Sequence, residues 1–405
     1  MAHEAMRLIL LSASPGDCRY IPPMPKLNDA QITALIADGG VFAISIDTAV
    51  FDAKQKTFHN AVLRRLDQFH ARDIGVIIAD VVAEEIKAHL RDEAIETQRA
   101  LKKALRAHTI RWGRKTSEGE EGALLINADA ANFADAEFHA FLEHVNGQVI
   151  DVADNPEAVE QVFTHYFAKA PPFGLADKRK NEFPDAFALA RLESFAKDHG
   201  KTMICVAPDK GWVEFAENSD HLICVDRLEN ALALFHAADQ HLADAIVEKW
   251  RESEGGDFIQ DISHAFEYRL DDLDFDIDAH ADMPFEAEPL SAVLQYVSPE
   301  SIGQPTVIAV DGETVTFSVG VEAVVGFEAS FEFFVTDSID KDEISLGSEE
   351  AYVEKSIPFD LTITADRLLE DGPVFHEVEV AKKRFVVDFG YVEAFPNEDP
   401  TYEKY

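Results

Sequence analysis

The run Val41-Phe42-Ala43-Ile44-Ser45-Ile46 is apolar almost without interruption, and it stops at Asp47. A strand with no polar alternation has both faces covered, which calls for helices on either side of a parallel sheet. Ile74–Ala79 and Thr202–Ala207 are runs of the same kind, and Gln148–Val152 and Leu222–Val225 are shorter ones. The stretches between them have helical spacing. They predict helices at about 54–71 (on Phe58, Ala61, Val62, Leu66 and Phe69), from Asp80 as N-cap, over 91–115, 128–145 and 156–168, from Pro184 to about His199, and over about 227–237. Pro184 suits a first helical turn, where the missing N–H costs nothing. Strands alternating with helices predict a three-layer α/β/α domain built on a parallel sheet over residues 40–238.

Four carboxylates stand at the switch points of this pattern. Asp47 and Asp209 close strands, and Glu85 and Asp185 lie near helix starts. In an open α/β sheet such positions converge on one crevice. Carboxylates massed there disfavour one another's charge unless a divalent cation holds them. The pattern points to metal-assisted phosphodiester hydrolysis, with Asp47, Asp185 and Asp209 as ligands and Glu85 as a ligand or water-orienting group. Glu84 competes with Glu85 for that role. Glu182 is either a supporting group or a surface charge. Thr48 either orients water or caps a helix. A phosphatase of the haloacid dehalogenase type is excluded, because Asp47-Thr48-Ala49 lacks the second acid of Asp-x-Asp.

Phosphates need basic partners. Lys178, Arg179 and Lys180 precede Asp185 closely and Lys210 follows Asp209, so these four are the candidate nucleic-acid contacts. The basic helix over 91–115 either extends that track or is a solvated face. Trp212 either stacks on a base or packs in the core. His89, four residues after Glu85, makes only a weak zinc-like pair. The net charge of −40 opposes nucleic-acid binding, but it is unevenly spread: residues 241–405 hold 39 acidic and 10 basic side chains of the total 76 and 36. The acidity therefore lies away from the four carboxylates.

The remaining chain divides by pattern. Residues 1–39 form a leader with a short helix near 29–37, and 239–289 are helical and then an acidic linker. Residues 290–396 form a mainly antiparallel β domain with a hairpin at Asp311-Gly312, and 397–405 are a tail. No apolar run reaches the ~20 residues that span a bilayer. Cys18, Cys205 and Cys224 offer no Cys-x-x-Cys spacing, Cys205 and Cys224 read as buried packing, and the cytoplasm is the expected compartment.

Ile44-Ser45-Ile46-Asp47-Thr48, Val81-Val82-Ala83-Glu84-Glu85-Ile86, Glu182-Phe183-Pro184-Asp185-Ala186 and Val206-Ala207-Pro208-Asp209 together resemble the four acidic motifs of the PIN-domain nucleases. The Lys/Arg run before Glu-Phe-Pro-Asp-Ala is similar to a bacterial PIN-like subfamily of large proteins with a C-terminal extension. The resemblance covers about residues 40–236. It implies a sheet of order 3-2-1-4-5, a Mg2+ or Mn2+ cofactor, and cleavage of RNA, as in toxin–antitoxin ribonucleases. It favours Glu85 over Glu84, because Ile86 directly follows. DNA cleavage in defence and a non-catalytic binding module are the alternatives. The acidic β domain is a candidate surface for a protein partner or for homo-oligomerisation.

Overall fold

A computed structural model of the protein describes residues 27–113, 129–174, 179–252, 257–270, 275–297, 299–336, 343–368, 374–381 and 384–394. Lys178, Cys18, most of the leader and the tail lie outside them.

The α/β part is a five-stranded parallel sheet of order β3-β2-β1-β4-β5. The strands are β1 (Val41–Ile46), β2 (Gly75–Ala79), β3 (Gly147–Ile150), β4 (Thr202–Val206) and β5 (Leu222–Val225). Ile44 pairs with Val76 on one side and Ile204 on the other. Every residue of β1 except Phe42 is buried, as an apolar run without alternation requires. Helix α1 (Asp29–Ala37) precedes the sheet and opens with a capping box between Asn28 and Gln31.

The predicted helix over 54–71 is not one element. A short helix α2 (Thr48–Ala53) starts directly at Asp47, and the chain then turns through Gln55 and Lys56 with positive φ (64° and 52°). Asn60 caps a second short helix, α3 (Ala61–Arg64), which runs into a 3-10 segment (Arg65–Arg72). Left-handed residues cannot continue a helix, so the apolar positions from Ala61 onward are carried by two short pieces and Phe58 by the turn before them.

Helix α4 (Asp80–Trp112) is one continuous 33-residue helix where the sequence suggested two. Asp80 is its first residue and not its cap; its carboxylate accepts from the Val81 and Val152 amides. Helices α5 (Ala130–Val145), α6 (Pro156–Ala168), α7 (Phe183–His199), α8 (Lys210–Ala216) and α9 (Leu228–Leu234) complete the layers. α7 is buried around most of its circumference near Ala186–Leu192, consistent with a helix wedged between the sheet and α6.

Helices α10 (Gln240–Glu252) and α11 (Asp257–Leu270) belong to a second core. They pack Ile246, Trp250, Ile262 and Phe266 against Phe317, Phe327 and Phe359 of a β structure. The acidic alternation expected to be a linker becomes strand β6 (Phe275–His280), because it finds a parallel partner in β12 (Phe385–Tyr391). The other strands are β7 (Phe285–Val297), β8 (Thr306–Val310), β9 (Thr314–Thr336), β10 (Glu343–Asp366) and β11 (Phe375–Val380), in antiparallel order β11-β10-β9-β7 with β8 also on β9. Asp311 makes the expected turn: its carboxylate accepts from the Glu313 and Thr314 amides.

The two parts are joined by specific bonds. Glu379 of β11 accepts from the Asn60 side chain (2.7 Å) and the Ala61 amide (2.8 Å), so a β-strand residue helps to cap a helix of the other part. Arg65 donates to Thr364, and Gln68 donates to the Ile308 carbonyl. Ile308 itself joins the α/β core.

Candidate active site

The site forms at the C-terminal ends of β1 and β4, the end at which open parallel sheets hold their ligands. Asp47 follows β1 directly, and its amide donates to the Val206 carbonyl of β4 at 2.9 Å. Its carboxylate caps α2, accepting from the Thr48 amide at 2.7 Å and the Ala49 amide at 3.3 Å. Asp209 does the same for α8, accepting from Gly211 at 2.7 Å and Trp212 at 3.4 Å. Both residues are therefore aimed by the helix starts they cap, which is why a strand-to-helix switch is a reproducible place for a functional acid.

The other two arrive from helices. Glu85 lies in the second turn of α4 and accepts from the Thr48 hydroxyl at 2.9 Å. Asp185 lies in the first turn of α7 and accepts from the Trp212 indole N–H at 3.0 Å. Trp212 is fully buried, so the core residue is also an anchor for a site carboxylate. Glu182 accepts from the Gly174 amide at 2.9 Å and ties the α7 entry to the loop before it.

Asp47 is pushed up to about 7, first by burial and then by the neighbouring Asp185, with Glu85 adding to it and the two backbone bonds opposing. Asp185 is also raised, by burial first and then by Asp209, Glu85 and Glu182, against the Trp212 bond. Asp185 is the hub of these influences, acting on Asp47 and acted on by Asp209 and Glu85, and through it the four predicted carboxylates form one connected group. Among the described residues none of the four forms an ion pair with a Lys, Arg or His.

The nearby candidates divide. Glu84 turns away to Lys87, which also meets Asp135. His89 bonds Asp52 at 2.7 Å and not the site. Lys210 is solvent-exposed and paired at 2.9 Å with Glu214 one turn along its own helix. Lys180 is exposed in the 3-10 turn Arg179–Glu182 that leads into α7. A cavity of about 450 Å³ between the two parts of the molecule borders the site at Ala49 and Pro208. Its polar lining is internally matched, with Lys54 on Glu229, Arg227 on Asp360 and Asn60 on Glu379.

Residues 44–212 match the family model of the PIN domain. This part of the chain is a PIN domain. No curated protein and no solved structure gives a match. PIN domains are a nuclease-type fold, and the parallel sheet here has the order β3-β2-β1-β4-β5.

The donors suit a divalent cation in kind: hard carboxylate oxygens, two of them on acids raised by burial and by their neighbours, with no ion-pair partner among the described residues. Among the described residues, no three acidic, His or Cys side chains are drawn together into a ligand cage. Two supporting groups, the Trp212 indole and the Thr48 hydroxyl, give no signal in the spacing of the sequence that links them to Asp185 and Glu85. Only the fold brings together residues 27 and 37 positions apart.

Proposed function

We propose that the protein is a metal-dependent endonuclease whose site is Asp47, Glu85, Asp185 and Asp209, acting on RNA. The observation that carries this is the electrostatic coupling of four carboxylates with no described cation beside them, at the ligand-binding end of a PIN-domain sheet. Such a group is costly without a cation and favourable with one.

The four carboxylates would hold Mg2+ or Mn2+. A bound ion of that kind supplies a Lewis acid for the phosphate and a lowered pKa for the attacking water. The chain's own contribution is positional. Thr48 donates to one oxygen of Glu85 and leaves the other free for a ligand or a water. Trp212 fixes the rotamer of Asp185 from the buried side. Lys178, Arg179, Lys180 and Lys210 are the phosphate-contacting groups of this proposal. Lys210 would exchange Glu214 for phosphate at little cost, since the pair is solvent-exposed and screened by water.

The test is cleavage of labelled RNA and DNA strands with Mg2+, with Mn2+ and with EDTA, using the intact chain and its Asp47→Asn and Asp209→Asn forms. Metal-stimulated RNA cleavage that both substitutions abolish is the expected result. Equal cleavage in all three proteins would sink the assignment, and faster cleavage of DNA would reassign the substrate.

A further inference from the structure

Helix α4 does two jobs along its length. Its first turns pack Val82, Ala83, Ile86 and Leu90 into the PIN-domain core and carry Glu85 to the site. Beyond Ala94 none of its residues is fully buried, and the helix runs on to Trp112. At ~1.5 Å per residue the whole helix is ~50 Å long.

The far half has an unusual charge. From residue 97 to 113 there is no acid, while Arg99, Lys102, Lys103, Arg106 and Arg111 are basic and all are exposed. No ion pair joins any of these five to a described residue. Several cations on other elements do have acidic partners: Lys54 with Glu229, Lys87 with Glu84, Lys210 with Glu214, Arg227 with Asp360 and Arg384 with Asp276. In a chain of net charge −40, five cations on one helix without an ion-pair partner among the described residues form a surface complementary to a polyanion.

The direction of the surface matters as much as its sign. At ~100° per residue, Arg99, Lys103 and Arg106 fall within ~60° of Glu85 around the helix axis. They face the same way as the site carboxylate, ~21 to 32 Å further along. A shallow groove lined by Arg99, Lys102, Lys103, Arg106 and Ile110 marks the place. Asp92 and Glu96 are exposed between the two stations, so this is a separate binding station and not a continuous track from the site.

We infer that the distal half of α4 is an exosite for the nucleic-acid backbone, holding the strand that runs out of the carboxylate site. This rests on the function proposed above for that site. At ~3.4 Å per stacked nucleotide, a strand must extend ~6 to 9 nucleotides past the reacting phosphate to reach Arg99–Arg106. The exosite therefore selects by length, and it is blind to base sequence because it meets phosphates alone.

The experiment compares the full-length protein with its Arg99→Gln/Lys102→Gln/Lys103→Gln/Arg106→Gln form. Binding of 6-nucleotide and 30-nucleotide RNA is measured in EDTA over a range of salt, so that cleavage does not enter. Gln keeps the helix propensity of Lys and Arg, and an unchanged circular dichroism spectrum checks the fold. The 30-mer is expected to bind the variant about tenfold or more weakly at low salt. The slope of log affinity against log salt should fall by about 2 to 3, at ~0.7 per lost contact. The 6-mer should bind both forms alike. Trp112 is 65% exposed while Trp212 and Trp250 are buried, so the 30-mer should shield tryptophan emission from acrylamide and the 6-mer should not. An unchanged affinity and slope for the 30-mer overturns the inference. So does a wild-type dimer that the substitutions dissociate without altering RNA binding, which would give the cations to the acidic face of a second copy. Binding of the 30-mer that depends on the four distal cations, without cleavage under any metal, would instead remove the proposed activity and leave the exosite standing.

Discussion

The molecule carries acids in two very different settings. In the PIN domain, Asp47 is only 6% exposed and lies beside Asp185 and Glu85, with Asp185 in turn beside Asp209. In the β structure the acids are far more numerous, and apart from Glu379 at the junction most stand on the solvent side. Along β9, Val321, Ala323, Val325, Phe327, Ala329, Phe331 and Phe333 point inward, while Glu322, Glu328 and Glu332 alternate with them and point out. Where such an acid has a partner, as Asp276 has in Arg384, hydrogen bonds hold it below the usual carboxylate range. The number of charges does not distinguish the two regions. Burial and mutual proximity do, because a carboxylate in water interacts weakly with its neighbours and one in a crevice does not.

The contrast can be broken most decisively at Asp47. Asp47→Asn keeps a competent helix cap but removes a ligand. Cleavage should fall by about a thousandfold or more, beyond the 10- to 100-fold typical of supporting groups. The same substitution should stabilise the metal-free protein. The folded state holds a proton on Asp47 that the unfolded chain releases between pH 3.8 and about 7. The cost of its charge is therefore absent below pH 3.8 and complete above pH 7, at about 4 kcal/mol at most. Denaturant titrations in EDTA should show the variant gaining on the wild type as pH rises through that window. A loss of stability at pH 8 would contradict the crowding argument.

The junction between the regions supplies the next test. His236 is fully buried, with Nε2 2.5 Å from the Gln68 side-chain oxygen and Arg72 close by. Burial, and then Arg72, push it down to about 4. The unfolded chain takes up a proton near pH 6.5 that the folded protein refuses until about pH 4. Stability from this group is complete above pH 6.5 and is lost as pH falls toward 4, by about 3 kcal/mol. His236→Gln should flatten that part of the stability profile; an unchanged slope would show that the ring is not held neutral.

Trp212→Phe sharpens the comparison from inside the site. It keeps an aromatic core residue but removes the N–H that Asp185 accepts. The expected loss is 10- to 100-fold in metal affinity or activity, with about 1–3 kcal/mol of stability, read by metal titration and thermal melting. The smallest effect belongs to the β region. Glu332→Gln should change stability by less than about 0.5 kcal/mol in a urea titration, which is the outcome that separates a solvated acid from a crowded one.

Much of the PIN domain could be read from the chain, because a parallel sheet covered on both faces writes its strands as unbroken apolar runs. β1, β2, β4 and β5 and the starts of α6 and α7 follow from that and from local capping rules. What could not be read depends on partners distant in sequence. β6 looks like a solvated acidic stretch until β12 is placed beside it, more than 100 residues later. β9 and β10 look like several short strands because polar residues punctuate both, with Gly320 and Gly326 in β9 and Gly347 and Pro358 in β10, yet the strands are 23 and 24 residues long. The break at Gln55 and Lys56 was hidden because neither residue type announces a left-handed backbone. In the site, the positions of the four acids were legible, whereas the hydroxyl and indole that aim two of them were not.

The parallel pairing of β6 with β12 also bears on how the chain is made. During synthesis β6 leaves the ribosome about 100 residues before its partner, which at ~5–20 residues per second is a wait of roughly 5 to 20 s. The five strands of the PIN sheet have all emerged by then, and so has every one of the four carboxylates. The crevice can assemble while β6 still has an open edge. The nascent chain thus passes through a period in which its acidic site has formed and the sheet that holds β6 has not.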